Sequence, residues 1–88
     1  MIVNVMERHV RDAYDRLKAS VNGLADSPGH REDVVVYALN RLPPRYVVTD
    51  AGMAVTEVAL DGAQQRTEID VKVLEAMRHI AARPRSGP

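Results

Sequence analysis

The chain of 88 residues contains no cysteine, which excludes disulfide bonds and thiolate metal sites. It has no phenylalanine or tryptophan and only three tyrosines, so its core must be built from aliphatic side chains and methionine. Twelve basic and twelve acidic side chains cancel, which argues against non-specific binding to nucleic acid or to a membrane surface. No apolar run approaches the ~18 residues of a membrane span, and the first residues are not those of a signal peptide. We therefore expect a soluble cytoplasmic protein.

The small size of the chain limits both its domain count and its stability. We expect residues 1–83 to form one domain and residues 84–88 to be a flexible tail. A core this small gives little surplus stability, and such domains commonly depend on a disulfide, a metal or a partner chain. Because cysteine is absent, we expect a homodimer.

Apolar residues that recur three and four positions apart predict three helices. Each follows a residue suited to cap it, and two prolines end the second helix. With their N-caps, the expected helices are Asn4–Val21, Ser27–Leu42 and Thr67–Ala82. The side chains expected to be buried are Met6, Val10, Ala13, Tyr14, Leu17, Val21, Val34, Val35, Ala38, Leu39, Leu42, Ile69, Val73, Leu74, Ala76, Met77, Ile80 and Ala81.

The stretch between the second and third helices is rich in β-branched residues and contains a turn sequence, Asp50-Ala51-Gly52. This combination favours a hairpin of roughly residues 45–49 against residues 53–59. The alternative is a helix capped at Thr49. We therefore expect an α+β fold with three helices and a β-hairpin between the second and third, and an all-α fold as the alternative.

The chemistry of the side chains argues against an enzyme. No nucleophile stands in a recognisable arrangement with a base, and there is no phosphate-binding or dinucleotide-binding glycine motif. His9 and His79 fall on predicted solvent faces of helices. His30 lies near carboxylates, but no helical His-x-x-x-His pair accompanies it, so we expect a solvated loop histidine. We predict no catalytic residue, no cofactor and no metal site.

A proline corner follows the second helix and places Arg41 and Arg45 on either side of a rigid bend. Tyr37 precedes Arg41 by one helical turn, so ring and guanidinium can share a face. The corner can offer guanidinium forks and aromatic rings to a flat anionic ligand. In a purely structural interpretation, the prolines only end the helix, the tyrosines pack and the arginines pair with nearby carboxylates. The candidate ligand-binding residues are Arg31, Asp33, Tyr37, Asn40, Arg41, Arg45 and Tyr46.

Residues 33–47, DVVVYALNRLPPRYV, resemble the signature of the late competence protein ComFB family. Residues 4–10, NVMERHV, resemble the amino-terminal residues of that family. Matches also occur in the family's last helix and in the residues that follow it. The resemblance covers nearly the whole chain, and its specific part is the core Leu-Asn-Arg-Leu-Pro-Pro-x-Tyr. The matching residues near the carboxyl end are Gln65, Asp70, Ala76, Pro84 and Arg85.

The resemblance implies a small homodimeric, non-enzymatic bacterial regulatory protein. Several members of the family are receptors for cyclic dinucleotide second messengers, cyclic di-GMP or cyclic di-AMP, linked to competence, motility or cell-size control. Many members also carry a zinc-binding cysteine cluster before the signature aspartate. Here residues 24–32 read LADSPGHRE and contain no thiol, so we expect this chain to lack the zinc site.

Two functions follow as hypotheses. The first is a receptor in which two copies present matched arginines and tyrosines to a two-fold symmetric cyclic dinucleotide. The second is a protein–protein interaction adaptor in competence or motility regulation that binds no small molecule. In both cases we expect an unidentified protein partner and no binding to nucleic acid or membrane.

The homodimer is open to a direct test by analytical ultracentrifugation over a concentration series, with circular dichroism at the same concentrations. We expect a dimer that loses helicity as it dissociates, because one copy has too small a core to be stable alone. A fully folded monomer at low micromolar concentration would contradict this prediction.

Overall fold

The computed structural model describes residues 2–24, 26–48 and 62–82. These residues form three α-helices and a two-stranded antiparallel sheet, which confirms the α+β fold class. The second hairpin strand at 53–59, the alternative helix from Thr49 and the tail at 84–88 lie outside the described residues. No helix of the described segments is both long and apolar enough to cross a membrane. The elements are β1 (Val3–Asn4), α1 (Val5–Leu17), a 3₁₀ turn (Lys18–Ser20), α2 (Pro28–Leu39), β2 (Tyr46–Val47) and α3 (Ala63–Ala82).

Asn4 caps α1 as predicted and also holds the proline corner. Its Oδ1 accepts a hydrogen bond from the backbone N–H of Met6 at 3.2 Å, inside the first turn of α1. The same oxygen accepts from the backbone N–H of Arg45 at 2.9 Å. Val5 completes the connection, since its N–H donates to the Arg45 carbonyl at 2.7 Å. One side chain therefore fixes the start of α1 against the exit from α2.

The two-stranded sheet also links the residues before α1 to the residues after the proline corner. Val3 lies opposite Val47, and Asn4 lies opposite Tyr46. The strand predicted around residue 46 is present, and its partner among the described residues is β1. Sequence patterns assigned no strand to β1, because two residues are too few to show an alternating pattern. Val47 packs against the core, whereas Tyr46 is exposed.

The predicted start of α2 is confirmed. Ser27 Oγ accepts from the backbone N–H of His30 at 3.3 Å, and Pro28 occupies the first turn. The α-helical geometry ends at Leu39, earlier than expected. Asn40 is the C-cap, and the chain then continues as a looser turn toward the prolines.

The third helix begins at Ala63, so the predicted cap at Thr67 is wrong. The backbone N–H of Arg66 donates to the Gly62 carbonyl at 3.0 Å, which closes a helical turn before Thr67. The residues of this turn favour helix but are mostly polar, and the apolar period begins only at Ile69. The predicted end at Ala82 is confirmed.

The three helices enclose a single core, and all of its members except Val5 were predicted to be buried. It is built from aliphatic side chains and methionine as expected, with one tyrosine ring buried, that of Tyr14. Five other predicted residues, Leu17, Val21, Leu39, Leu74 and Ile80, are partly buried against it. The core consists of Val5, Met6, Val10, Ala13, Tyr14, Val34, Val35, Ala38, Leu42, Ile69, Val73, Ala76 and Met77.

The buried Tyr14 ties α1 to the loop that follows it. The chain reverses at Gly23, whose φ of 82° is a conformation that favours glycine. This reversal brings Asp26 back to α1, where Tyr14 donates its hydroxyl to Oδ1 at 3.0 Å and Lys18 Nζ donates to Oδ2 at 3.1 Å. Burial, reinforced by the hydrogen bond to Asp26, raises the pKa of Tyr14 to about 12. The two donors lower the pKa of Asp26, with Lys18 the larger cause.

An alkaline titration tests this arrangement. Because the folded-state pKa of Tyr14 is raised to about 12, its contribution to stability is fully present below its unfolded value of about 10. That contribution is lost as pH rises toward the folded value. We expect tyrosinate absorbance to show a late step near pH 12 that Tyr14→Phe removes. Tyr14→Phe should also lower the free energy of unfolding at neutral pH by about 1 kcal/mol.

Tyr46→Phe is the matched control for this titration, because Tyr46 is exposed on the sheet. It should leave the late step and the free energy of unfolding unchanged. A late step that persists in Tyr14→Phe would show that another group produces it.

Candidate functional site

Three side chains from α2, its C-terminal turn and α3 form a layered stack. The guanidinium carbon of Arg41 lies 3.4 Å from the ring centroid of Tyr37. The imidazole of His79 stacks on the same tyrosine, with 4.3 Å between ring centroids and 26° between the planes. Both distances are too short for the two groups to share one face, so the Tyr37 ring lies between them. This cluster, Arg41–Tyr37–His79, is called the stack below.

The stack holds the guanidinium of Arg41 in place. Its Nη1 donates to the backbone carbonyl of Tyr37 at 3.0 Å, and the Tyr37 ring covers one of its faces. The ring of Tyr37 and the guanidinium of Arg41 do meet, as their spacing suggested, although Arg41 lies in the turn after the end of α2. Arg41 itself remains exposed, so the group is oriented by the protein and open to solvent.

His79 corrects the prediction of a histidine on a solvent face. It is partly buried and packs on Tyr37, because α2 and α3 lie against each other. A signal for this was present in the sequence, since His79 follows the buried Ala76 by three residues and so borders the apolar stripe of α3. Sequence periodicity did not indicate which helix would pack against this edge of the apolar stripe.

A hollow of about 350 Å³ opens beside the stack. Its chemistry is mixed, with two carboxylates, one amide and one guanidinium among aliphatic and aromatic surfaces. Hydrogen-bond acceptors therefore outnumber positive charges, and the hollow is not a simple anion site. The described residues that line it are Glu32, Asp33, Val36, Tyr37, Asn40, Arg41 and Ile80.

The structure brings four of the seven predicted site residues to this hollow and places three elsewhere. Arg31 lies on the α1 side, where it pairs with Asp15 at 3.3 Å and lies 5.7 Å from the centroid of the Tyr14 ring. Arg45 and Tyr46 are exposed at the corner and on the sheet, and neither lines the hollow. The four that line the hollow are Asp33, Tyr37, Asn40 and Arg41.

Glu32 is a lining residue that the sequence interpretation missed. It accepts two hydrogen bonds from Arg11, at 2.7 and 3.1 Å, which join α1 to α2. The bond from Arg11 lowers the pKa of Glu32 and keeps it ionised. Arg11 also binds Glu7 at 3.0 Å, and these two carboxylates raise its own pKa further, with the bond to Glu32 the larger cause.

A second cavity, of about 390 Å³, lies between α1 and α3. Arg16 binds Asp70 there through two hydrogen bonds, at 2.8 and 3.1 Å. His9 is partly buried at this cavity, which corrects its expected solvent position, and its Nε2 is buried without a hydrogen-bond partner among the described residues. The described residues that line this cavity are Arg8, His9, Asp12, Arg16, Arg66, Ile69 and Asp70.

The described residues contain no group of three histidine, aspartate or glutamate side chains placed to hold a metal ion. His30 lies in the first turn of α2, and its Nδ1 is 2.6 Å from Ser27 Oγ. It therefore takes part in the cap of the helix. The lack of a zinc site stays a prediction for the whole chain.

The fold is that of a solved competence protein. It is similar to the structure of the late competence protein ComFB from Bacillus subtilis, with a TM-score of 0.88 over 98% of this chain and 94% of that chain. The sequence identity of 24% is low, so this likeness establishes the fold. A search of curated proteins gives no match.

The sequence itself identifies the family. The family model of the late competence development protein ComFB matches residues 3–84. This chain therefore belongs to the ComFB family, as the resemblance of residues 33–47 predicted.

Removal of metal tests the prediction that this member has no zinc site. We expect dialysis against a chelator to leave the melting temperature unchanged, because the chain has no thiol to hold zinc. A cysteine-containing member of the family, treated in parallel, should lose zinc. Stoichiometric zinc in the purified protein, lost together with stability on chelation and in His30→Ala, would contradict the prediction.

Proposed function

We propose that this protein is a non-enzymatic, homodimeric and cytoplasmic receptor for a cyclic dinucleotide second messenger. The observation that carries the proposal is the stack, which presents an oriented and exposed guanidinium beside an open hollow. Guanidinium groups bind phosphate and stack on flat rings, the two features that a cyclic dinucleotide combines. Membership in the ComFB family supports the same assignment, because several members are receptors of this kind.

The lining of the hollow distinguishes the two parts of the ligand. The charge of Glu32 is already balanced by Arg11, and Val36, Tyr37 and Ile80 give the hollow apolar walls on which a flat ring can pack. A neutral base therefore fits the hollow better, with the phosphates outside near the edge of Arg41. Arg45 follows across the proline corner and is exposed, so it is available to a phosphate.

The symmetry of the ligand fits the proposed homodimer. A cyclic dinucleotide has two bases and two phosphates related by a two-fold axis, and an isologous dimer presents one surface twice. Each copy would supply one hollow and one stack. Binding would then favour one arrangement of the two copies, which is a means of signalling to a protein partner.

A protein–protein interaction adaptor is the second candidate, and one surface favours it. Ile2, Tyr46 and Val48 are 72%, 66% and 68% exposed. Tyr46 and Val48 flank Val47, which packs inward, so both project from the outer face of the sheet. Exposed apolar side chains grouped in this way are typical of a protein-binding surface.

Isothermal titration with both cyclic dinucleotides tests the receptor. We expect at least one of the two to bind, and its affinity to fall about tenfold or more in Arg41→Ala, since ~1.4 kcal/mol corresponds to a factor of ten. Arg78→Ala is the matched control, because Arg78 is exposed on α3 and does not line the hollow. It should bind like the wild type.

The same experiment separates the two candidates. No heat with either nucleotide at high micromolar concentration would contradict the receptor. Equal affinities of the wild type and Arg41→Ala would show that the stack is not part of the nucleotide-binding site. Loss of a protein partner in Tyr46→Ser, without any nucleotide dependence, would favour the adaptor.

A further inference from the structure

We infer that the nucleobase stacks on the outer face of the Arg41 guanidinium and not on the Tyr37 ring, and that His79 is the positioning residue of this platform. The inference rests on the proposed function and specifies how the site of that function is built. It assigns a role to α3, from which no site residue was predicted.

The Tyr37 ring is closed to a ligand on both faces. Arg41 covers one face at 3.4 Å and His79 covers the other at 4.3 Å. These are the distances at which flat groups are already in contact. A base that reached the ring would have to displace Arg41 from the Tyr37 carbonyl or separate α3 from α2. Tyr37 therefore acts as the support and not as the contact surface.

The outer face of Arg41 is the surface that remains. One face of its guanidinium is against the Tyr37 ring, and Nη1 is bound at 3.0 Å to the Tyr37 carbonyl. Two constraints thus fix both the position and the plane of the group before any ligand binds. An arginine plane stacks well on a purine, and a group oriented in advance loses less freedom on binding.

His79 holds the Tyr37 ring in place from the face opposite Arg41. It is partly buried, it belongs to α3, and its plane lies 26° from that of the Tyr37 ring. The next residue, Ile80, lines the hollow, so α3 holds the stack and the wall of the hollow together. Because Tyr37 and Arg41 lie between His79 and the outer face, His79 acts through them and does not touch the base.

The first measurement needs no ligand. The guanidinium carbon of Arg41 lies 3.4 Å from the Tyr37 ring centroid, so we expect the NMR resonance of the adjoining Nε–H proton to be shifted upfield by the ring current. We expect this shift to persist in His79→Phe, which keeps a stacked ring, and to diminish in His79→Leu and His79→Ala, which do not. His79→Leu fills the site with an apolar side chain and covers the case in which His79→Ala does not fold.

The second measurement is the affinity for cyclic di-GMP or cyclic di-AMP, whichever the titration shows to bind more tightly. We expect His79→Leu to weaken binding about two- to twelvefold, the range for the loss of one aromatic pair, and His79→Phe to bind like the wild type. In an Arg41→Ala background, His79→Leu should have no further effect, because the platform is already gone. Arg78→Ala, on the neighbouring exposed position, should leave both affinity and the Arg41 resonance unchanged.

The outcomes separate this inference from the proposed function. If the wild type binds but His79→Leu keeps full affinity and the upfield shift, the inference is overturned and the receptor stands. A full additional loss in the Arg41→Ala background would also overturn it, because His79 would then act independently of Arg41. If the wild type binds no cyclic dinucleotide, the proposed function fails and the platform fails with it.

Discussion

The close packing of α2 against both other helices is the constraint on which the rest of the structure depends. Val34, Val35 and Ala38 are fully or almost fully buried, and their small side chains let α1 and α3 approach α2. That approach brings an imidazole from α3 into contact with Tyr37. A core built around large rings would separate these helices and remove the contact. The scarcity of aromatic residues and the geometry of the candidate site are therefore connected.

Much of the fold could be predicted from the sequence, because helix periodicity and caps are local. The caps at Asn4 and Ser27 were predictable from their residue types, whereas Thr67 failed as a cap because a helix-favouring polar turn precedes it. The pairing of Val3 with Val47 was not predictable, since it joins positions separated by two helices. Local patterns carry no information about such a contact.

In the candidate site too, contacts between residues close in sequence were predictable and contacts between different helices were not. Arg41 follows Tyr37 by four residues across the end of α2, so a local pattern was enough to suggest their contact. Arg31 lies on the same helix as Tyr37 but faces α1 and binds Asp15, which depends on how the helices pack. The contribution of His79 depends on packing in the same way. The signature of the family therefore located the corner, and only the tertiary structure showed which side chains meet there.

The most direct test of the account is a crystal structure of the protein with cyclic di-GMP or cyclic di-AMP, whichever binds more tightly. We predict two copies related by a two-fold axis through the ligand, each with one purine base parallel to the outer face of the Arg41 guanidinium. Tyr37 should remain between Arg41 and His79, as in the protein without ligand. A base lying on the Tyr37 ring with Arg41 displaced, or a ligand bound away from the hollow, would contradict the account.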